Sequence, residues 1–242
     1  MDLWPVTDAA RDFVQRMVPF WQAELGLDLC GVYLIGSLAH GGFSARYSDV
    51  DVAVIAEAGL SAEQLARGRD HAVALSPDWG PKLSVFWADR NFSRGRFPPL
   101  DRVDYLDHAV PLAEHEYVRP LRPALKDVQD YLRGSPFAGW AEQTRSFAGA
   151  DALTPLERKP YLRTLLYPAR LCFSYVTGRM GSNDEAVAFL SDGAPAGLDV
   201  DLIARALQIR QADADPDPLF AERVRLPLQC EACAALMADA RV

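Results

Sequence analysis

Asp49 and Asp51 stand one residue apart in the run Ser48-Asp49-Val50-Asp51, and the apolar stretch from Val50 to Ile55 reads as a strand. Alternate residues of a strand share a face, so the two carboxylates project side by side. Adjacent carboxylates repel unless a proton or a cation lies between them. A hard divalent ion with oxygen ligands is the natural occupant, and Mg²⁺ fits best where a phosphate supplies further oxygens. Upstream, Val32-Tyr33-Leu34-Ile35 reads as a strand that ends at Gly36-Ser37. That pair can offer backbone N–H groups and a hydroxyl to a phosphate, at a helix start whose dipole favours anions. One stretch of chain therefore points to a metal and a phosphate together. An isolated Asp-x-Asp would read as acids capping a solvated turn. The preceding strand, Gly36-Ser37 and Gly41-Gly42 at this spacing favour the site instead. Within the same loop, His40 is either a catalytic base or an exposed loop histidine, and Arg46 and Tyr47 either reach a phosphate or a base or simply order the loop.

The elements that must carry these residues are legible from periodicity. Phe13, Met17, Phe20 and Trp21 recur at helical spacing over residues 8–25, with Pro19 expected to kink or split the helix and Gly26 to stop it. Strands follow at 30–35 and 49–55. Ser61 with Gln64 forms a capping box that opens a helix to about Leu75. A third strand is expected over Lys82–Trp87, a loop over 91–100 with Gly95, Pro98 and Pro99, and a short strand near Ala109–Leu112. Past residue 118 helix signals dominate. Thr154-Pro155 with Glu157 reads as an N-cap, an N1 proline and a capping box, Ser182 with Glu185 as a second box, and Asp199 or Asp201 as the cap of a helix to about Gln211. Pro168 and Pro227 interrupt helical patterns, and 212–218 reads as a loop. The fold class expected is α+β: a small mixed sheet flanked by helices over 1–118, then an all-helical domain over 119–242. A cleft between such halves is the expected ligand site.

The bulk numbers narrow the partners. The chain has 242 residues, half of them hydrophobic, and a net charge of −8. That is enough for a sizeable core, and it argues against a nucleic-acid backbone as the main partner, since phosphate chains need clustered Lys and Arg. No apolar run reaches the length of a membrane span, and the N-terminal residues lack a signal pattern. The four cysteines are Cys30, Cys172, Cys230 and Cys233. The last two form a lone C-x-x-C on an expected helix with no second pair or nearby histidine, so they read as small buried helix residues, and the expected compartment is a reducing cytoplasm. Nothing in the chain fixes an oligomeric state.

Gly36-Ser37, Gly41-Gly42 and Ser48-Asp49-Val50-Asp51 resemble the signature of the DNA polymerase β-type nucleotidyltransferase superfamily. Within it the chain is most similar to the aminoglycoside (streptomycin/spectinomycin-type) adenylyltransferases. Residues 170–178, the run Ser182-Asn183-Asp184-Glu185-Ala186 and Leu202-Ile203-Ala204-Arg205-Ala206 are similar to the helical C-terminal domain of those enzymes. The resemblance implies a nucleotidyltransferase domain followed by a helical substrate-binding domain. It also implies Mg²⁺-dependent transfer of AMP from ATP to a hydroxyl of a small, aminoglycoside-like molecule, which is antibiotic-resistance chemistry. Asp49 and Asp51 would be the catalytic and metal-holding residues. Gly36, Ser37 and Ser48 would fix the β- and γ-phosphates. On the helix near 200–211, an arginine pointing into the cleft could clamp the triphosphate. Arg205 and Arg210 do not share a helical face well, and Arg205 is the one assigned to it.

The chain departs from that family where it matters for chemistry. Such enzymes usually carry a third carboxylate on the next strand, as a metal ligand or as the base for the acceptor hydroxyl. Here that strand holds no acid: Ser84 takes the expected position and Lys82 shares its face. Asp89, just beyond, is one substitute. Glu114 and Glu116, or Asp104 and Asp107, are remoter and read as a solvated rim that could attract a polycationic acceptor. Cys172 stands where those enzymes tend to carry an aromatic, and Asn183 where they tend to carry a lysine. General-base help is worth ~10²–10⁴-fold, so its loss slows transfer without abolishing it. The alternatives are a relative that binds nucleotide or ligand without turnover, and AMP transfer onto a protein. Trp87 and Trp140 read as core rather than as a stacking platform.

Overall fold

The computed structural model describes residues 4–239. The chain divides into two compact units, Met1–Arg122 and Pro123–Val242.

The first unit is built on a four-stranded mixed sheet in the order β3-β2-β1-β4. Its strands are β1 (Leu29–Leu34), β2 (Val50–Ala56), β3 (Leu83–Asp89) and β4 (Val110–Glu114). β1 pairs antiparallel with both β2 and β4, whereas β2 and β3 are parallel, with Asp51 opposite Ser84. The parallel pair needs a crossover, and α3 (Ala62–Leu75) supplies it, opened by the expected Ser61–Gln64 capping box. α1 (Trp4–Leu25) runs through Pro19 as one element, so the expected split does not occur. Between β1 and β2 lies α2 (Ser37–His40), a single turn, and between β3 and β4 lies α4 (Pro99–His108).

Strand alternation sorts the core into two layers. Val32, Leu34, Val50, Val52 and Val54 pack with Phe13, Met17 and Trp21 of α1. Tyr33, Ile35, Ala53 and Ile55 face the other way and pack with Phe92, Phe97 and Tyr105. Asp51 has the parity of Ala53 and Ile55, so it belongs to the face covered by α4. That helix is absent from the sequence expectation, which ends a loop at residue 100. Pro98 and Pro99, read there as loop residues, are in fact its N-terminus, a position where proline's fixed φ and missing N–H cost nothing.

The second unit is all helical: α5 (Leu125–Arg133), α6 (Ser135–Ala148), α7 (Arg158–Thr177), α8 (Asn183–Gly193), α9 (Val200–Gln211) and α10 (Leu226–Ala238), with a 3₁₀ stretch at Asp217–Arg225. Ser182 and Glu185 form the expected box, and Asp199, not Asp201, caps α9 by accepting from Leu202 N–H. The Thr154 cap fails: Glu157 accepts both the Thr154 N–H and its hydroxyl, and the helix starts at Arg158. α7 passes through Pro168 unbroken. A proline leaves the carbonyl four residues earlier without its helical donor. Here that carbonyl is Thr164's, and the buried Trp140 indole N–H donates to it at 3.0 Å. Trp140 is core, as its pattern suggests, but it also repairs a helix.

Candidate active site

β1 and β2 bring the two halves of the sequence motif together. Ile35 N–H donates to the Asp51 carbonyl at 3.1 Å, which pins the end of β1 beside the start of β2. Gly36 follows with φ +66, a left-handed value that favours glycine. A Cβ built there would lie 2.4 Å from Asp51 Oδ2. Gly36 is therefore required twice, by its backbone and by the carboxylate against it.

The loop after it is braced by serines. Ser48 is buried, and its Oγ accepts from Ser44 N–H at 3.0 Å and from the Ser37 hydroxyl at 3.1 Å. Ser44 Oγ accepts from Tyr47 N–H at 3.0 Å, and Tyr47 is buried. The Tyr47 backbone is thus tied into the loop, and its side chain is buried rather than on the surface. Lys82 caps the far side by donating to the Ala45 carbonyl at 2.5 Å. His40 sits edge-to-face with His108 at 5.6 Å between ring centroids, and Arg46 lies over the Tyr47 ring.

Asp51 is the electrostatic centre. Burial pushes its carboxyl up to about 7, and the charges of Asp49, Asp104 and Asp101 add to the shift, while a hydrogen bond from Ser84 pulls it back. Two of those acids, Asp101 and Asp104, come from α4, the helix missing from the sequence reading.

The structure separates the candidates for a third acid. Asp89 is spent on its own turn: Oδ1 accepts from Ser93 and Arg94 N–H at 2.8 and 2.9 Å, and Oδ2 from the Ser93 hydroxyl at 2.6 Å. These bonds, the hydroxyl's first, hold its carboxyl below the ordinary range. Glu114 accepts from the Tyr33 hydroxyl at 2.9 Å, Glu116 pairs with Arg90, and Asp107 pairs with Arg122. Asp104 is different. It is 4 % exposed, so the solvated-rim reading is wrong for it, and its Oδ2 accepts from Gly36 N–H at 2.9 Å. Residue spacing alone gave no sign of this; the alternation of β2 toward a helix opened by Pro98-Pro99 is the signal that could have.

Gly36 N–H, read from sequence as a phosphate donor, is thus given to a carboxylate. Arg205 lies on α9 in the second unit and pairs with Glu222 at 3.1 Å. Among the described residues, no group of three or more His, Cys, Asp or Glu side chains is placed to hold a metal ion by itself, and no helix is long and apolar enough to cross a membrane. The four cysteines are free, and Cys230 and Cys233 lie on α10.

A divalent ion fits the first-unit site. The donors are hard oxygens, and the charges of Asp49, Asp104 and Asp101 act on the buried Asp51 carboxyl, so the site favours positive charge. With two protein carboxylates, Asp49 and Asp51, the remaining ligands must come from water or phosphate, as Mg²⁺ prefers.

No protein-family model matches the chain, and no curated protein matches it. Among solved structures, a spectinomycin adenyltransferase from Enterococcus faecialis, crystallised with ATP and spectinomycin, is similar over 93 % of this chain and 98 % of that one, with a TM-score of 0.67 and 11 % identity. At that identity the likeness is one of fold, and the chain has an α+β fold of the adenylyltransferase kind.

Proposed function

We propose that the chain transfers AMP from ATP to a hydroxyl of a small molecule, with Mg²⁺ held by Asp49 and Asp51. The observation that carries this reading is Asp51 pressed against Gly36, its carboxyl raised to about 7 by burial and by Asp49, Asp104 and Asp101. Such a site gains most from a bound cation. When bound, the ion supplies positive charge at the phosphate oxygens and the leaving group.

The chain's own residues do the positioning. Gly36, having no side chain, lets the turn close on Asp51. Ser37 and Ser48, joined at 3.1 Å, are assigned to the β- and γ-phosphates. The acceptor oxygen bonds to the α-phosphorus as the bond to the bridging oxygen breaks. Pyrophosphate leaves, and the hydroxyl proton passes to a base or to solvent. Holding the reactants in line supplies much of the acceleration. The neighbour is a spectinomycin adenyltransferase, and on that likeness the acceptor here is assigned to the aminoglycoside kind.

Incubation with labelled ATP, Mg²⁺ and a panel of aminoglycosides and aminocyclitols tests the reading. Acceptor-dependent pyrophosphate release is expected; none with any acceptor would refute transfer to this class. A second reading, nucleotide binding without turnover, is favoured by β3 carrying Ser84 opposite Asp51 and by Asp89 being tied into its turn. Tight Mg²⁺-dependent binding of a non-hydrolysable ATP analogue, with no turnover, would select it.

A further inference from the structure

Asp104 Oδ1 is buried and has no hydrogen-bond partner. A buried polar atom without a partner is costly, more so when charged, and calls for an explanation such as a bound water or ion. The other oxygen of the same carboxylate holds the N–H of Gly36, the residue whose Cα backs onto Asp51. The one acid on β3, Asp89 at its last position, is tied into its own turn, and the other acids considered, Glu114, Glu116 and Asp107, are engaged as well.

We propose that Asp104, from α4, is the third carboxylate of the cation site, anchoring Gly36 with Oδ2 and accepting, with Oδ1, a hydrogen bond from a water of the bound divalent ion. Direct ligation by three acids is not the arrangement here, since the described residues contain no such set, so Asp104 acts through the ion's water as a positioning residue. Hydrogen bonds to a metal's surroundings of this kind are worth about 10–100-fold in metal affinity. The inference rests on the reading of Asp49 and Asp51 as the cation's ligands. It adds that the acid absent from the Ser84 position opposite Asp51 is supplied by a helix instead.

The test is Mn²⁺ binding, followed by electron paramagnetic resonance in the presence of an α,β-non-hydrolysable ATP analogue, for the wild-type chain, D104N and the D49N/D51N double variant. Asn keeps an oxygen for Gly36 N–H and removes the charge. D104N is expected to bind Mn²⁺ about 10–100-fold more weakly, with the analogue's affinity in the absence of metal unchanged. A merely structural Asp104 would instead weaken both. Wild-type Mn²⁺ affinity in folded D104N, alongside loss in D49N/D51N, overturns the role of Asp104 alone. Retention by D49N/D51N overturns the cation site itself. Should D104N not fold, a crystal of the wild-type chain with Mn²⁺ and the analogue decides: a water of the ion on Asp104 Oδ1 supports the proposal, and an ion without one refutes it.

Discussion

The Cα of Gly36 faces the Asp51 carboxylate so closely that a methyl group there would stand 2.4 Å from Oδ2. The glycine at the end of β1 and the aspartate at the start of β2 are thus one structural unit. Gly36→Ala must displace the carboxylate and also adopt φ +66, which alanine resists. The expected cost is about 1–3 kcal/mol of stability, read by urea unfolding. Weaker Mg²⁺-dependent binding of an ATP analogue should accompany it. Unchanged values of both would show that the turn relaxes freely.

Asp51 also sets a pH dependence. In the unfolded chain its carboxyl ionises near 3.8, and in the folded chain near 7. Between these values the folded state keeps a proton that the unfolded state has lost. Stability from this group is therefore full below about pH 4, falls as pH rises to about 7, and is flat beyond. Asp51→Asn should remove that slope and raise the melting temperature of the metal-free chain at pH 8 by about 2–4 °C, the shift that ~1 kcal/mol gives in a chain of this size. Melting curves of the two proteins from pH 4 to 8 check it; parallel curves would contradict it.

Asp89 supplies a control. Its carboxylate accepts three hydrogen bonds from Ser93 and Arg94. Asp89→Ala should cost about 1–2 kcal/mol through the lost turn yet leave Mg²⁺-dependent nucleotide affinity unchanged. A selective loss of that affinity in a chain of normal stability would make Asp89 part of the site.

Trp140 tests the repair of α7. Its indole N–H donates to the Thr164 carbonyl that Pro168 leaves without a helical partner. Trp140→Phe keeps a ring but no donor, and should lower stability by about 1–3 kcal/mol, measured by urea unfolding. A neutral outcome would mean that water reaches the carbonyl.

The sheet of the first unit was legible because its strands are short apolar runs bounded by Gly, Ser and Pro, and because the Ser61–Gln64 box marks the crossover helix. The closeness of Asp49 to Asp51 was legible from spacing, although Asp49 lies just before β2, and the charge of Asp49 acts on Asp51. Asp104 was not, for its meaning depends on which helix covers that face. α4 is short, its opening Pro98-Pro99 mimics a loop, and its contribution to the site is a contact with a residue 68 positions earlier, Gly36. Pro168 in α7 misled for a related reason. A local helix-breaking cost is overridden when packing, or a donor such as Trp140, makes it good from a distance.

Calorimetric titration of ATP analogue into the chain with and without Mg²⁺, repeated on Asp49→Asn/Asp51→Asn, addresses the site most directly. The wild-type chain should bind the nucleotide more tightly with Mg²⁺ than without, and the double variant should lose that difference while still folding. Equal Mg²⁺-dependent affinity in the two proteins would contradict a cation held by Asp49 and Asp51.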